Sequence, residues 1–168
     1  MAELVYAQDL KSWARKGLRV RFPPWAPTII SIQTTVVILN CMFKRIHHVA
    51  VICSDYQKSK KFYTETLGLE IIREVYREKR DSYKLDLKVG DSYQIEIFSF
   101  PNPPKRLSYP EASGLRHLAF EVDTIDKVWA ELQQKGVILE QKRRDEITDK
   151  KFFFFHDPDG LPIEIYEK

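Results

Sequence analysis

Two histidines and two glutamates stand at matched places in the chain: His48 with His117, and Glu96 with Glu164. His48 opens the apolar run His48-Val49-Ala50-Val51-Ile52, and His117 opens His117-Leu118-Ala119-Phe120-Glu121. Each glutamate lies between two isoleucines, in Ile95-Glu96-Ile97 and Ile163-Glu164-Ile165. Imidazole nitrogen and carboxylate oxygen, without thiolate, suit a divalent ion: nickel or zinc first, with cobalt, manganese or iron(II) as further candidates. Four such ligands on a six-coordinate ion leave two places for water or substrate. A single strand histidine, or a single glutamate among isoleucines, is ordinarily a satisfied or solvent-facing polar residue. The symmetric pairing of all four is what points to a metal. His47 alternates to the other face and is left out. His156 precedes a tight turn, where structural hydrogen bonding is expected, and Asp157 and Asp159 read first as turn formers.

An internal repeat positions these residues. The first histidine strand is followed by Ser54-Asp55 and an amphipathic pattern, Ser59, Phe62, Tyr63, Leu67, ending at Gly68. The second is followed by Asp123-Thr124 and Ile125, Val128, Trp129, Leu132, ending at Gly136. Spacings of three and four predict helices, each capped by glycine. The register agrees: 69 positions from His48 to His117, and 68 both from Gly68 to Gly136 and from Glu96 to Glu164. After the helices, strands are expected over Leu69–Arg73, Tyr83–Val89 and Tyr93–Phe98, then over Val137–Glu140, Lys151–His156 and Leu161–Tyr166. Asp157-Pro158-Asp159-Gly160 has hairpin chemistry, and the proline-rich stretch Pro101 to Pro110 links the copies. The expected fold is α+β: two βαβββ modules in tandem, about 43–100 and 114–168 with a linker at 101–113, forming a curved mixed β-sheet with helices outside. If the isoleucines flanking each glutamate face the helices, Glu96 and Glu164 face the other side, and a sheet curving around that side gathers them with the histidines.

Composition narrows the class. With 27 basic and 24 acidic residues, the net charge of +3 and the scattered bases argue against nucleic-acid binding. Lys142-Arg143-Arg144, followed at once by Asp145-Glu146, reads as a solvated loop or edge. Two cysteines, Cys41 and Cys53, make no disulfide framework and fit a reducing cytoplasm, with Cys53 a buried thiol. No stretch suits a membrane span; the nearest, Thr28 to Leu39, is short and broken by polar residues. Residues 1–41 show no helical or strand period and are read as a non-domain N-terminal extension. Arg19-Val20-Arg21-Phe22 can be encoded by codons typical of the T-arm of a transfer RNA gene. One expectation is therefore that Met42 is the natural start; the other is a genuine N-terminal arm.

From Phe43 to Lys168 the chain resembles the vicinal oxygen chelate superfamily, which includes glyoxalase I, fosfomycin- and bleomycin-resistance proteins and extradiol dioxygenases. The resemblance rests on His48-Val-Ala-Val, Lys61-Phe62-Tyr63 before Leu67-Gly68, Gly114-Leu-Arg-His117-Leu-Ala-Phe, and His156-Asp-Pro-Asp-Gly160 followed by Ile-Glu164-Ile. The order His, Glu, His, Glu is similar to glyoxalase I, and an acid at Glu96 argues against a dioxygenase, which uses two histidines and one glutamate. The resemblance implies a lactoylglutathione lyase-like enzyme that isomerises the hemithioacetal of methylglyoxal and a thiol to a lactoyl thioester. It implies a metal acting as Lewis acid on the substrate oxygens, Glu164 moving the proton, and Glu96 as its counterpart. It also implies a homodimer in which His48 and Glu96 of one chain meet His117 and Glu164 of the other around a small-molecule substrate.

The chain departs from glyoxalase I at two places. Ile52 stands where an arginine commonly holds the glutathione carboxylate, and Phe100 where an asparagine often sits. Two alternatives stay open: a metal-dependent thiol transferase of the fosfomycin type, for which no basic cluster is evident, and a metal-free binding protein of the bleomycin-resistance type.

Overall fold

The computed structural model describes residues 42–168, so the expectations for residues 1–41, Cys41 included, lie outside the described residues. The first module runs β1 (His48–Cys53), α1 (Tyr56–Lys61), a π-helical turn (Phe62–Thr66), β2 (Glu70–Arg77), β3 (Ser82–Val89) and β4 (Tyr93–Ser99). The second runs β5 (Leu118–Val122), α2 (Ile125–Gln134), β6 (Arg143–Arg144), β7 (Lys151–His156) and β8 (Pro162–Glu167). Each module forms its own four-stranded mixed sheet, in the order β1-β4-β3-β2 and β5-β8-β7-β6. The histidine strand lies parallel to the glutamate strand at one edge of each sheet: β1 beside β4 and β5 beside β8. The tandem βαβββ α+β architecture is the expected one, with one four-stranded sheet to each module.

Local chemistry accounts for the elements. The Asp55 carboxylate accepts the Lys58 amide at the start of α1, satisfying one of the donors a helix leaves unpaired. Gly68 and Gly136 both adopt positive φ, +74° and +76°, where a side chain would be strained. They end the two helical segments at the positions the repeat matched. In β7, Phe153 and Phe155 point inward and are fully buried, and Ile163 and Ile165 of β8 join them. Ile95 and Ile97 do the same in the first module, leaving Glu96 on the opposite face.

One strand falls elsewhere than expected. Val137–Glu140 is not a strand; Val137 and Leu139 pack against the core, and only the Glu140 amide reaches the sheet, donating to the Phe154 carbonyl. The edge strand is Arg143–Arg144, where exposed charge suits a sheet edge.

The two modules share one apolar core. Val51, Tyr63, Leu85 and Ile97 of the first belong to the same cluster as Ile125, Phe153, Phe155 and Ile163 of the second. The joint is partly polar. Tyr63, fully buried, donates its hydroxyl to Asp157 Oδ2 at 2.9 Å, and the Ser54 amide donates to Asp159 Oδ2 at 3.0 Å. The turn expected at Asp157–Gly160 is present, with Asp157 Oδ1 accepting the amides of Asp159 and Leu161. It also docks the first module.

Burial raises the pKa of Asp157, while the Leu161 amide and the Tyr63 hydroxyl favour its charged form. A group raised by burial adds stability below its unfolded pKa and loses it as pH rises through the folded one. The Tyr63 hydroxyl acts oppositely, because it supports the charged carboxylate. Tyr63→Phe is therefore expected to cost about 1–2 kcal/mol at neutral pH and less as pH falls through the Asp157 pKa. Urea midpoints of both proteins at several pH values measure this, and a penalty that grows toward acid pH contradicts it.

Candidate metal centre

Pairing of β1 with β4 aligns His48 with Gln94 and Ala50 with Glu96, so the four side chains share one sheet face. His48 Nε2 lies 3.7 Å from Glu96 Oε2. In the second module the same geometry brings His117 Nε2 to 3.2 Å from Glu164 Oε2. Two donors on one ion, each about 2.1 Å from it and 90–110° apart, lie about 3.0–3.4 Å from each other. The His117–Glu164 pair has the spacing of neighbouring ligands on one divalent ion, and the His48–Glu96 pair, at 3.7 Å, lies outside it.

The four residues do not converge in one chain. Both glutamates face away from the shared isoleucine core, and among the described residues no cluster of three or more histidine, cysteine, aspartate or glutamate side chains could hold a metal. Within the described residues the four form two separate His–Glu pairs, one on each module's sheet. Each stands on a sheet whose edge strand, β1 or β5, has no strand on its outer side among the described residues. His117 Nδ1 is buried without a hydrogen-bond partner among the described residues, a state that costs about 1–3 kcal/mol. His47 stays outside the ligand pair, although its Nδ1 lies 2.9 Å from His48 Nδ1. His156 is exposed and borders the groove between modules.

The half-sites differ in their surroundings. Glu96 is buried, and its Oε1 accepts from Lys84 Nζ at 2.9 Å and from Gln94 Nε2 at 3.1 Å. Lys84 also contacts Asp86 Oδ1 at 2.7 Å, and Arg73 donates twice to Asp86 Oδ2, at 2.9 and 2.6 Å. Burial alone would raise the Asp86 pKa, but hydrogen bonds and charge from Lys84 and Arg73 outweigh it and hold the carboxyl below its usual range. Burial likewise opposes the Lys84 charge, and Asp86 and Glu96 overcome it. Around Glu164 there is no such network among the described residues; Phe152 and Phe154 stand where Lys84 and Asp86 do in the first module, and Phe154 meets the His117 ring edge to face. Sequence reasoning missed Lys84, Asp86 and Arg73. A signal existed: alternation in Tyr83-Lys84-Leu85-Asp86-Leu87, with a hairpin at Gly90-Asp91, sets Asp86 opposite Glu96, as observed.

The model of the Glyoxalase/Bleomycin resistance protein/Dioxygenase superfamily matches residues 45–165. The chain belongs to this superfamily. It is 58% identical over 127 residues to the uncharacterized protein YwkD of Bacillus subtilis, covering 76% of this chain and 99% of that protein. A solved glyoxalase family protein from Enterococcus faecalis is 52% identical with a TM-score of 0.71, covering 76% of this chain and 100% of the other. More distant is Glyoxylase I 4 of Arabidopsis thaliana, 28% identical, covering 71% of this chain and 68% of that protein. No helix among the described residues is long and apolar enough to cross a membrane.

Proposed function

We propose that this chain is a metal-dependent lyase of the glyoxalase I type, converting the hemithioacetal of methylglyoxal and a small thiol to a lactoyl thioester. In this reading two copies assemble each site. His48 and Glu96 of one chain face the partner's His117 and the partner's Glu164 around nickel or zinc. The observation that carries the reading is the pair of equivalent His–Glu half-sites, 3.7 and 3.2 Å across, on opposite modules of a duplicated fold. Two neutral imidazoles and two carboxylates are the donor set such an ion takes.

The bound ion supplies Lewis-acid stabilisation of charge developing on the substrate's adjacent oxygens. Glu164 takes the proton from the carbon bearing the sulfur and the hydroxyl group and returns it to the neighbouring carbonyl carbon, while the hydroxyl proton passes to the former ketone oxygen. The first carbon becomes the thioester carbonyl and the second the alcohol carbon, so atoms and charge balance. Glu164 suits this task better than Glu96, whose Oε1 is already engaged by Lys84 and Gln94. Membership in the family's enzyme branch and a cytoplasmic location belong to the same reading, the latter consistent with the buried free thiol of Cys53.

The test is direct. Protein stripped with chelator is reloaded with Ni, Zn, Co or Mn and offered methylglyoxal with several low-molecular-weight thiols. Uptake of about one ion per chain and thioester formation with at least one thiol are expected. A chain that takes up none of these ions contradicts the reading. Metal uptake without thioester formation from any thiol moves it to the thiol-transferase alternative.

A further inference from the structure

The sheet face that carries His48 and Glu96 also carries four cations, and one of them stands apart. Arg73 and Lys84 are ion-paired with Asp86, Lys84 also with Glu96, and Lys88 lies 4.0 Å from Glu70. Arg77, at the end of β2, has no carboxylate within ion-pair distance among the described residues. Its Nε and Nη2 donate to the buried Ser82 hydroxyl at 3.1 and 2.6 Å. Its guanidinium lies over Phe98, 4.8 Å from the ring centre, and 5.6 Å from that of Phe100. Two of the five guanidinium N–H groups are thus used, and the other three have no protein acceptor among the described residues. The second module supplies a control for a purely structural role. There Arg143 lies over Phe152 and Phe154 at 5.1 and 5.3 Å, but a carboxylate compensates it, Glu140 Oε2 at 3.0 Å.

A guanidinium fixed by a hydroxyl and two rings, half-buried and uncompensated, is arranged for an anion. Its planar fork matches the two oxygens of a carboxylate or a phosphate. Strand register places it on the substrate side. Arg77 pairs with Ser82, and the next row along the strands holds Lys84, Phe98 and the exposed Ile52. From the Ser82 row to the Glu96 row is four residues, about 13 Å along the strands. A substrate with its reacting carbons at Glu96 would place an oxyanion at Arg77 if the two were separated by on the order of 10 Å.

We propose that Arg77 anchors a carboxylate or phosphate group of the substrate. The anchor comes from β2, in a chain where Ile52 on β1 and Phe100 beyond β4 offer no polar group for it. The assignment of this anion to the substrate rests on the lyase reading of His48 and Glu96. Anion binding at Arg77 itself does not.

The experiment therefore uses no metal and no turnover. The isotope-labelled, metal-free full chain is titrated with propionate and separately with methylphosphonate, each to about 50 mM, and followed by amide and arginine Nε–H resonances. The Arg77 Nε–H signal is assigned by its loss in Arg77→Gln. Saturable shifts at Arg77, Ser82 and Phe98 are expected. They weaken at least about tenfold in Arg77→Gln and partly in Arg77→Lys, which keeps the charge and loses the fork. The tighter-binding ion identifies the oxyanion as carboxylate or phosphate. Absence of saturable shifts with both ions in folded wild-type protein overturns the proposal, and so does equal binding by wild type and Arg77→Gln. Should Arg77→Gln lack the dispersed spectrum of a folded chain, Arg77→Lys carries the comparison, and unweakened binding there overturns the bidentate anchor. Failure of the lyase reading leaves this result unaffected, and failure here leaves the lyase reading standing.

Discussion

Glu164→Gln is expected to retain metal and lose turnover by about 10³-fold. Glutamine keeps the shape of the side chain and one carbonyl oxygen able to face the ion, but it cannot accept a proton from carbon and return it. The surroundings make this substitution clean. Among the described residues Glu164 is approached by His117 and by no lysine or arginine, so removing its charge strands no buried cation. Glu96 is different, because its neutralisation would leave Lys84 with Asp86 alone. The measurement is kcat together with metal content on the same preparation. A variant with full metal and turnover within tenfold of wild type would exclude Glu164 as the proton carrier.

His117→Ala and His48→Ala are each expected to weaken metal binding by on the order of 100-fold or more, since each removes one of four ligands. Both side chains are substantially exposed, at 41% for His48 and 31% for His117, so their truncation leaves the isoleucine and phenylalanine core in place. Retention of near-ultraviolet circular dichroism alongside loss of metal, read by elemental analysis after dialysis, separates ligand loss from unfolding. Either variant binding the ion as tightly as wild type would remove that histidine from the site.

Much of the architecture was legible in the residues because the chain states it twice. Histidine strand, glycine-ended helix and Ile-Glu-Ile strand recur in register, and each copy obeys the period-2 rule that sends the isoleucines inward and the glutamate outward. The His–Glu pairs were legible for the same reason. Val137–Glu140 misled because its apolar residues read as a strand, whereas Val137 and Leu139 are spent on the core and the ladder is made by two arginines. The Tyr63–Asp157 joint links residues 94 positions apart and answers to packing between modules, which no local pattern encodes. The Lys84–Asp86–Arg73 network and Arg77 became visible only with strand register. Lysine and arginine scattered in sequence collect on one face once β2, β3 and β4 pair. Three of these four cations, Arg73, Lys84 and Lys88, lie beside carboxylates, and Arg77 is the one left without one among the described residues.

The position of the half-sites is the point on which the functional account turns. The two His–Glu pairs stand on faces away from a common core, and the proposal is that two chains bring them together into one four-ligand site. Mixing His48→Ala with His117→Ala tests this most directly. After dissociation and reassociation, a mixed dimer would contain one intact site, with His48 from one chain and His117 from the other, and one site lacking both. The account predicts that the mixture regains metal and thioester-forming activity that neither variant has alone, approaching one ion per mixed dimer. A mixture that reassociates yet remains as metal-free and inactive as its components would contradict a site shared between chains.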